Sequence, residues 1–206
     1  MKKALFMVAL AIGMTSPAGA AIISGTSDAA NGFVKIANPA GLTLGNNSIQ
    51  SNTLFGFDEA QGVTLTANLN VGNNNPVNRL LAGTKVNSHL IFFDPARNTL
   101  LRGALAFNGT VLAVIISDAR LAATDALFGL RSVRYLTPNN RGLESNDRTF
   151  VSQNLFDVRL NAGNPGDFIR VLTAVPEPAS WAMMLAGFGL IGGTLRRNRR
   201  TKMLPA

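Results

Sequence analysis

"FDVRLNAGNPGDFIRVLT", residues 156–173, decides the fold class. Phe156, Val158 and Leu160 alternate with Asp157 and Arg159, the period-2 pattern of a strand with one face on a core and the other in water. The "NAGNPGD" stretch at 161–167 then supplies Gly, Asn and Pro, which favour a turn, before "FIRVLT" at 168–173 resumes the apolar pattern. The natural expectation is an antiparallel pair joined by that turn.

The same signature recurs upstream. In "GVTLTANLNV", residues 62–71, Val63, Leu65, Ala67, Leu69 and Val71 share one parity and Thr64, Thr66, Asn68 and Asn70 the other, which predicts one half-buried strand. "HLIFFD" at 89–94 and "GALAF" at 103–107 read as strands, and "VLAVII" at 111–116, apolar on both parities, reads as a central one. One stretch has a different period. "DARLAATDALFG" at 118–129 predicts a short helix opened by Asp118, stopped by Gly129 and buried through Leu121, Leu127 and Phe128. Loops such as "GNNS" at 45–48 and "GNNNP" at 72–76 punctuate the rest, and no repeat of 20–50 residues favours a propeller or solenoid. The expected class is therefore mainly β: an antiparallel β-sandwich, jelly-roll or immunoglobulin-like, with one short helix.

The chain has 206 residues, no Cys, one His and a formal charge of +8. That charge does not mark a nucleic-acid-binding domain, because residues 21–175 hold 12 Lys/Arg against 10 Asp/Glu and the excess sits at the two ends. At the first end, "MKKALFMVALAIGMTSPAGA" has a basic head, an apolar stretch from Ala4 to Met14, a helix-breaking Pro17, and small residues at Ala18 and Ala20 suited to a signal peptidase. Its apolar part is short for a membrane span, so cleavage after Ala20 and export are expected. About 155 residues remain between the ends, enough for one domain with a substantial core.

The other end is "VPEPASWAMMLAGFGLIGGTLRRNRR", residues 175–200. Ala179 to Leu195 is a run of 17 uncharged residues, which as a helix extends about 26 Å, close to the thickness of a hydrocarbon core. Pro176 and Pro178 stiffen the approach, Trp181 suits the interface, and Arg196, Arg197, Arg199 and Arg200, with Lys202, form a basic stop that stays cytoplasmic. The expected organisation is a signal peptide over 1–20, an exported β-sandwich domain over 21–174 and a sorting and anchor segment over 175–202, with its transmembrane helix at about 179–195.

The order Pro176-Glu177-Pro178, two residues, Trp181-Ala182, "GFGLIGG" and arginines resembles a PEP-CTERM protein-sorting tail of the proteobacterial variant with Trp-Ala after the Pro-Glu-Pro. The resemblance implies recognition by exosortase, a membrane-embedded transpeptidase-like protease, in Gram-negative bacteria that make exopolysaccharide. It also implies transient anchoring in the inner membrane, then transfer to the cell surface or extracellular matrix after cutting near Pro-Glu-Pro. In the middle, "FFDP" at 92–95, "RGLE" at 141–144 and "GDFIRVLTA" at 166–174 are similar to phrases in domains that precede such tails, which implies no activity.

Chemistry-bearing residues are sparse. Without Cys, and with His89 as the single histidine, no thiol nucleophile or multi-histidine metal site exists, and no Gly-x-Ser-x-Gly elbow gives His89 a serine to activate. Asp58-Glu59 and Glu144 with Asp147 are the carboxylate pairs conceivable for glycoside hydrolysis, but as neighbours in loops they read as solvated acids. The same acids, with Asp94 or Asp118, offer oxygens for a structural Ca²⁺, yet no Asp-x-Asp-x-Asp loop supports one. Tyr135, read as loop-borne, is the aromatic residue placed to contact a sugar, while most Phe read as core. These readings predict no catalytic residue, metal or cofactor. The expected function is that of a cell-surface or matrix protein with no catalytic activity, associated with exopolysaccharide, the alternative being a carbohydrate-binding module of that matrix. The expected partners are signal peptidase, exosortase, the inner membrane and exopolysaccharide, with no nucleic acid.

Overall fold

A computed structural model describes Gly19, residues 21–45, 47–72, 77–136, 141–163 and 166–176, and five helical residues further on, Met184, Gly187, Phe188, Gly189 and Ile191. Gly19–Pro176 forms one compact unit. The proposed signal peptide with Ala18 and Ala20, the sorting residues Glu177, Pro178, Trp181 and Ala182, and the stop residues Arg196, Arg197, Arg199 and Arg200 lie outside the described residues. Among the described residues no helix is long and apolar enough to cross a membrane, and most of the 179–195 stretch falls outside them.

The strands in chain order are β1 (Ile22–Ser27), β2 (Phe33–Lys35), β3 (Thr43–Leu44), β4 (Ser51–Asp58), β5 (Val63–Thr64), β6 (Leu69–Asn70) and β7 (Arg79–Leu80). They continue with β8 (Lys85–Asp94), β9 (Thr99–Phe107), β10 (Val111–Ile115), helix α1 (Asp118–Phe128), β11 (Arg134–Tyr135), β12 (Arg148–Ser152), β13 (Leu155–Ala162) and β14 (Asp167–Ala174). The chain is mainly β, with several sheets whose long pairings are antiparallel. A four-stranded sheet runs β1-β9-β13-β12, and a second sheet runs β10-β14-β8-β4-β2 with β5 also on β8. Two short ladders, β3-β11 and β6-β7, complete the set.

One core joins the two sheets. Leu101, Leu105 and Phe107 of β9 and Phe156, Val158 and Leu160 of β13 pack with Ile91 and Phe93 of β8 and Ile169 and Val171 of β14. The other face of the larger sheet, carrying Leu90, Phe92, Phe168 and Leu172, is covered by Leu121 and Phe128 of α1 and by Leu44, Leu65, Val71, Leu80 and Val133. β8 and β14 are therefore buried on both faces, which is why apolar residues fall on both parities, Leu90–Phe93 in β8 and Phe168, Ile169, Val171 and Leu172 in β14.

Four expectations are corrected. β13 and β14 do not pair: β13 lies between β9 and β12 in one sheet, and β14 between β8 and β10 in the other. The alternation in β13 needs a solvated face, which the middle layer occupied by β14 lacks, so the connection carries the chain across the core. β10 has both faces buried, as "VLAVII" predicts, but lies at the end of its sheet rather than in its centre. Its apolar faces reflect the two layers around it, and neighbouring backbone bonds such as Leu143 N–H to the Ile116 carbonyl close off its end.

The "GVTLTANLNV" stretch is broken into β5, which pairs with β8, and β6, which pairs with β7. Leu65 and Val71 are buried as the parity predicts, but Leu65 exchanges backbone bonds with Thr84 and Gly83 and the Asn68 side chain accepts the Ala82 N–H, so local turns replace a continuous ladder. Helix α1 keeps its expected bounds, while Leu127 is 41% exposed and Thr124 takes its place in the interior. Gly129 has an ordinary φ of −66°; its role is space, because a Cβ there would come within 2.6 Å of the Asp125 carbonyl oxygen and 2.8 Å of the Tyr135 ring.

Candidate functional site

Four polar constellations lie on or near the two sheets, and only part of this chemistry is open to solvent. The first is wholly structural. Arg170, at 0% exposure in the middle of β14, uses all five guanidinium donors. Two go to Glu59, from Nε to Oε2 at 2.6 Å and from Nη2 to Oε1 at 2.9 Å. The others reach Asp125 Oδ1 at 3.0 Å, the Leu121 carbonyl at 3.1 Å and Thr124 Oγ1 at 2.6 Å. Buried Arg141 bonds Asp125 Oδ2, making two arginines against two carboxylates. Burial disfavours the Arg170 charge, but Glu59 and Asp125 outweigh it and hold the guanidinium ionised. This network locks α1 onto the sheet, and Glu59, only 2% exposed, is not the solvated loop acid its sequence context suggests.

Tyr135 belongs to the same network. It lies in β11 rather than in a loop, half-buried, donating its hydroxyl to Glu59 Oε1 at 2.8 Å and accepting the Leu130 N–H at 3.1 Å. Burial and the Glu59 charge raise its hydroxyl well above the ordinary tyrosine range. Its ring faces the guanidinium groups of Arg141 and Arg170 at 5.9 and 5.8 Å. It is therefore not an open platform for a sugar.

His89 bridges three strands. Its Nδ1 is 2.7 Å from Asp58 Oδ1 on β4 and its Nε2 3.0 Å from Thr173 Oγ1 on β14. The order of groups resembles a nucleophile, base and acid, but His89 and Thr173 are both at 0% exposure, so no substrate reaches them from solvent. Asp58 also pairs with Lys35 Nζ at 2.7 Å and accepts the Ile22 N–H at 3.0 Å. Burial pushes the Asp58 carboxyl up, but the bonds from His89, Lys35 and Ile22 together hold it below the usual carboxylate range.

The acids near the start of β12 and β14 are arranged differently. Asp147 is 7% exposed; its Oδ1 accepts the Asn161 N–H at 2.8 Å and its Oδ2 the Glu144 N–H at 2.7 Å. It is thus a fixed, buried carboxylate, not a solvated one. Glu144 is exposed and Asp167 is at 0% exposure, and carboxylate oxygens of the three residues lie within 4.8 Å of one another. Burial, followed by the Asp147 charge and the Glu144 carboxyl, pushes Asp167 up to about 9. Asp94 and Asp118 are spent elsewhere: Asp94 accepts N–H groups of Asn47, Ile49 and Gln50, and Asp118 that of Arg141.

The solvated chemistry lies on the outer face of the four-stranded sheet. Register places Arg148 of β12 opposite Arg159 of β13, and Arg159 opposite Arg102 of β9, one exposed row across three adjacent strands. The next outward row holds Phe150, 64% exposed, then Asp157 and Ala104, with Thr26 of β1 beyond. A groove of about 620 Å³ runs over these rows. Like charges placed directly opposite one another destabilise a sheet, and among the described residues no ion pair relieves them; Arg148 is tied only to the carbonyls of Ser145 and Asp147. Three arginines beside an exposed ring, in an open groove, suit a ligand with carboxylates and flat apolar faces. Sequence reading missed this because cross-strand register was invisible; the available signal was Phe150 sharing parity with Arg148 and Ser152 in "RTFVS".

Fold and surface define the class: a mainly β domain carrying an open, cation-lined groove and followed by an apolar, arginine-ended segment. The chain matches the PEP-CTERM protein-sorting motif over residues 174–200, so it carries a sorting segment of that kind. That motif marks an exported protein with a membrane-anchored sorting signal, processed by exosortase. No curated protein and no solved structure matches the chain.

Proposed function

We propose that the exported domain is a non-catalytic cell-surface or extracellular-matrix protein, folded as a β-sandwich and retained by acidic exopolysaccharide lying on the outer face of its four-stranded sheet. The observation that carries this reading is the in-register row Arg148, Arg159, Arg102 with exposed Phe150 beside it. The guanidinium groups pair with uronate-type carboxylates and the ring supports a sugar face, while Asp28 and Asp157 at the groove accept hydroxyl hydrogens. The PEP-CTERM segment supports delivery to the compartment where such polymers accumulate. The buried state of His89, Thr173 and Glu59 favours a binding role over hydrolysis.

Affinity electrophoresis of the full chain in mild detergent, through gels containing polygalacturonate or neutral dextran, tests the domain's role. Retardation by the acidic polymer alone, reduced at least several-fold in Phe150→Ala and in Arg159→Ser, is the expected result; equal mobility of wild type and both variants would refute it. Sorting is tested separately by fractionating cells that contain exosortase: Glu177→Ala should insert normally yet accumulate uncut in the inner membrane. Equal shortening and release of both proteins would reduce Pro176-Glu177-Pro178 to a helix-start signal.

A further inference from the structure

We propose that Glu144, Asp147 and Asp167 form a binding site for one Ca²⁺ ion. Their carboxylate oxygens converge within 4.8 Å of one another. The decisive feature is Asp167: it is at 0% exposure, its carboxylate is directed into the cluster, and neither of its oxygens has a hydrogen-bond partner. Buried carboxylates elsewhere in this fold are satisfied, Asp94 by three N–H groups and Glu59 by Arg170, Ser88 and Tyr135. Burying an ionised carboxylate without a partner is strongly unfavourable, so the two oxygens point to a ligand that accepts lone pairs.

That ligand is a cation rather than a side chain. Among the described residues no Lys, Arg or His forms an ion pair with any of the three acids. Arg148 is near in sequence, but its Nη1 is donated to the carbonyls of Ser145 and Asp147. The Asn161 and Glu144 N–H groups fix the orientation of the Asp147 carboxylate while leaving each oxygen a further lone pair. All donors are hard oxygens from carboxylates, with no sulfur or imidazole, which selects calcium or magnesium over zinc and copper. A polar cavity of about 490 Å³, lined by Glu144, Ser145 and Asp147, opens beside the cluster and leaves room for waters to complete six to eight ligands. Calcium suits the site better than magnesium, because three carboxylates converge there, whereas magnesium keeps several of its waters and is usually bound through one or two carboxylates.

Equilibrium dialysis of the full chain in mild detergent after chelator treatment, with ⁴⁵Ca²⁺ as the probe, tests the site. One ion per chain is expected, with Kd on the order of 10⁻⁴–10⁻³ M as in extracellular modules, and with a rise in melting temperature at saturating Ca²⁺. Asp167→Asn should weaken binding at least 10-fold while keeping a cooperative melt, since it preserves the size and shape of the side chain. Glu144→Gln, at the exposed mouth where folding is not at stake, should weaken it several-fold. Absence of saturable binding by wild type up to 10 times the upper end of that range overturns the proposal, as does unchanged binding in both variants. Displacement by an equal concentration of Mg²⁺ overturns the assignment to calcium.

Discussion

β13 and β14 have eight residues each and follow one another across the "GNPG" connection, yet they solve opposite problems. Each carries a central arginine flanked by apolar residues. Arg159 of β13 is exposed, stands between two other arginines and has no ion pair among the described residues. Arg170 of β14 is at 0% exposure with every donor satisfied. The outer sheet leaves one face to water and can present charge, whereas the middle sheet, covered on both faces, admits charge only where opposite charge and hydrogen bonds surround it. Burial differs accordingly, alternating along β13 and continuous along β14.

The comparison breaks most readily at Arg170. Arg170→Met leaves Glu59 buried without its arginine and takes one of two arginines from Asp125, and should destabilise the domain by about 3–5 kcal/mol in denaturant unfolding. A loss under about 1 kcal/mol would show that the network is not fully desolvated. A second contrast uses two phenylalanines. Phe168→Ala in β14, which removes a ring stacked on Phe92 with centroids 5.5 Å apart, should cost about 3–5 kcal/mol. Phe150→Ala in β12 should change stability by no more than about 0.5 kcal/mol while impairing polysaccharide retention.

Acid titration gives a smaller effect. Because Asp58 is held below its unfolded value of 3.8, the unfolded chain binds more protons in the interval between the two values, so stability falls as pH drops through it. The contribution of Asp58 is complete above that unfolded value and lost below it. Asp58→Asn should therefore make stability less steep in pH below about 4, as read from urea midpoints. The smallest effect sharpens the comparison from the β13 side: Arg159→Thr removes repulsion from Arg102 and Arg148 and should raise stability by on the order of 0.5 kcal/mol or less, even as it weakens polymer binding. A clear loss of stability instead would mean that Arg159 supports the fold rather than a ligand.

The predominance of strand, the helix at 118–128 and the sorting segment could all be read from period, punctuation and motif order. Pairing partners could not. The turn between β13 and β14 looked like a hairpin because nothing local distinguishes a connection within a sheet from one between facing sheets. The acids were misjudged for a related reason. Glu59 and Asp147 sit beside loops in sequence, but the layer packed over them removes water, and burial depends on that layer rather than on neighbours in the chain. Asp167 looked like one more turn residue in "GNPGD", and only the convergence of Glu144, Asp147 and Asp167 makes it a candidate ligand.

The sequence by itself determined that the chain carries a PEP-CTERM sorting segment and a mainly β domain, because motif order and strand periodicity are encoded in residues near one another along the chain. Tertiary structure decided which charges are sealed and which are offered. Arg102 meets Arg159, and Arg170 meets Glu59, across separations of 57 and 111 residues, distances that only the folded stack of sheets brings to contact. The energy of a charge depends on the water and partners around it, and those are set by the layer in which folding places it.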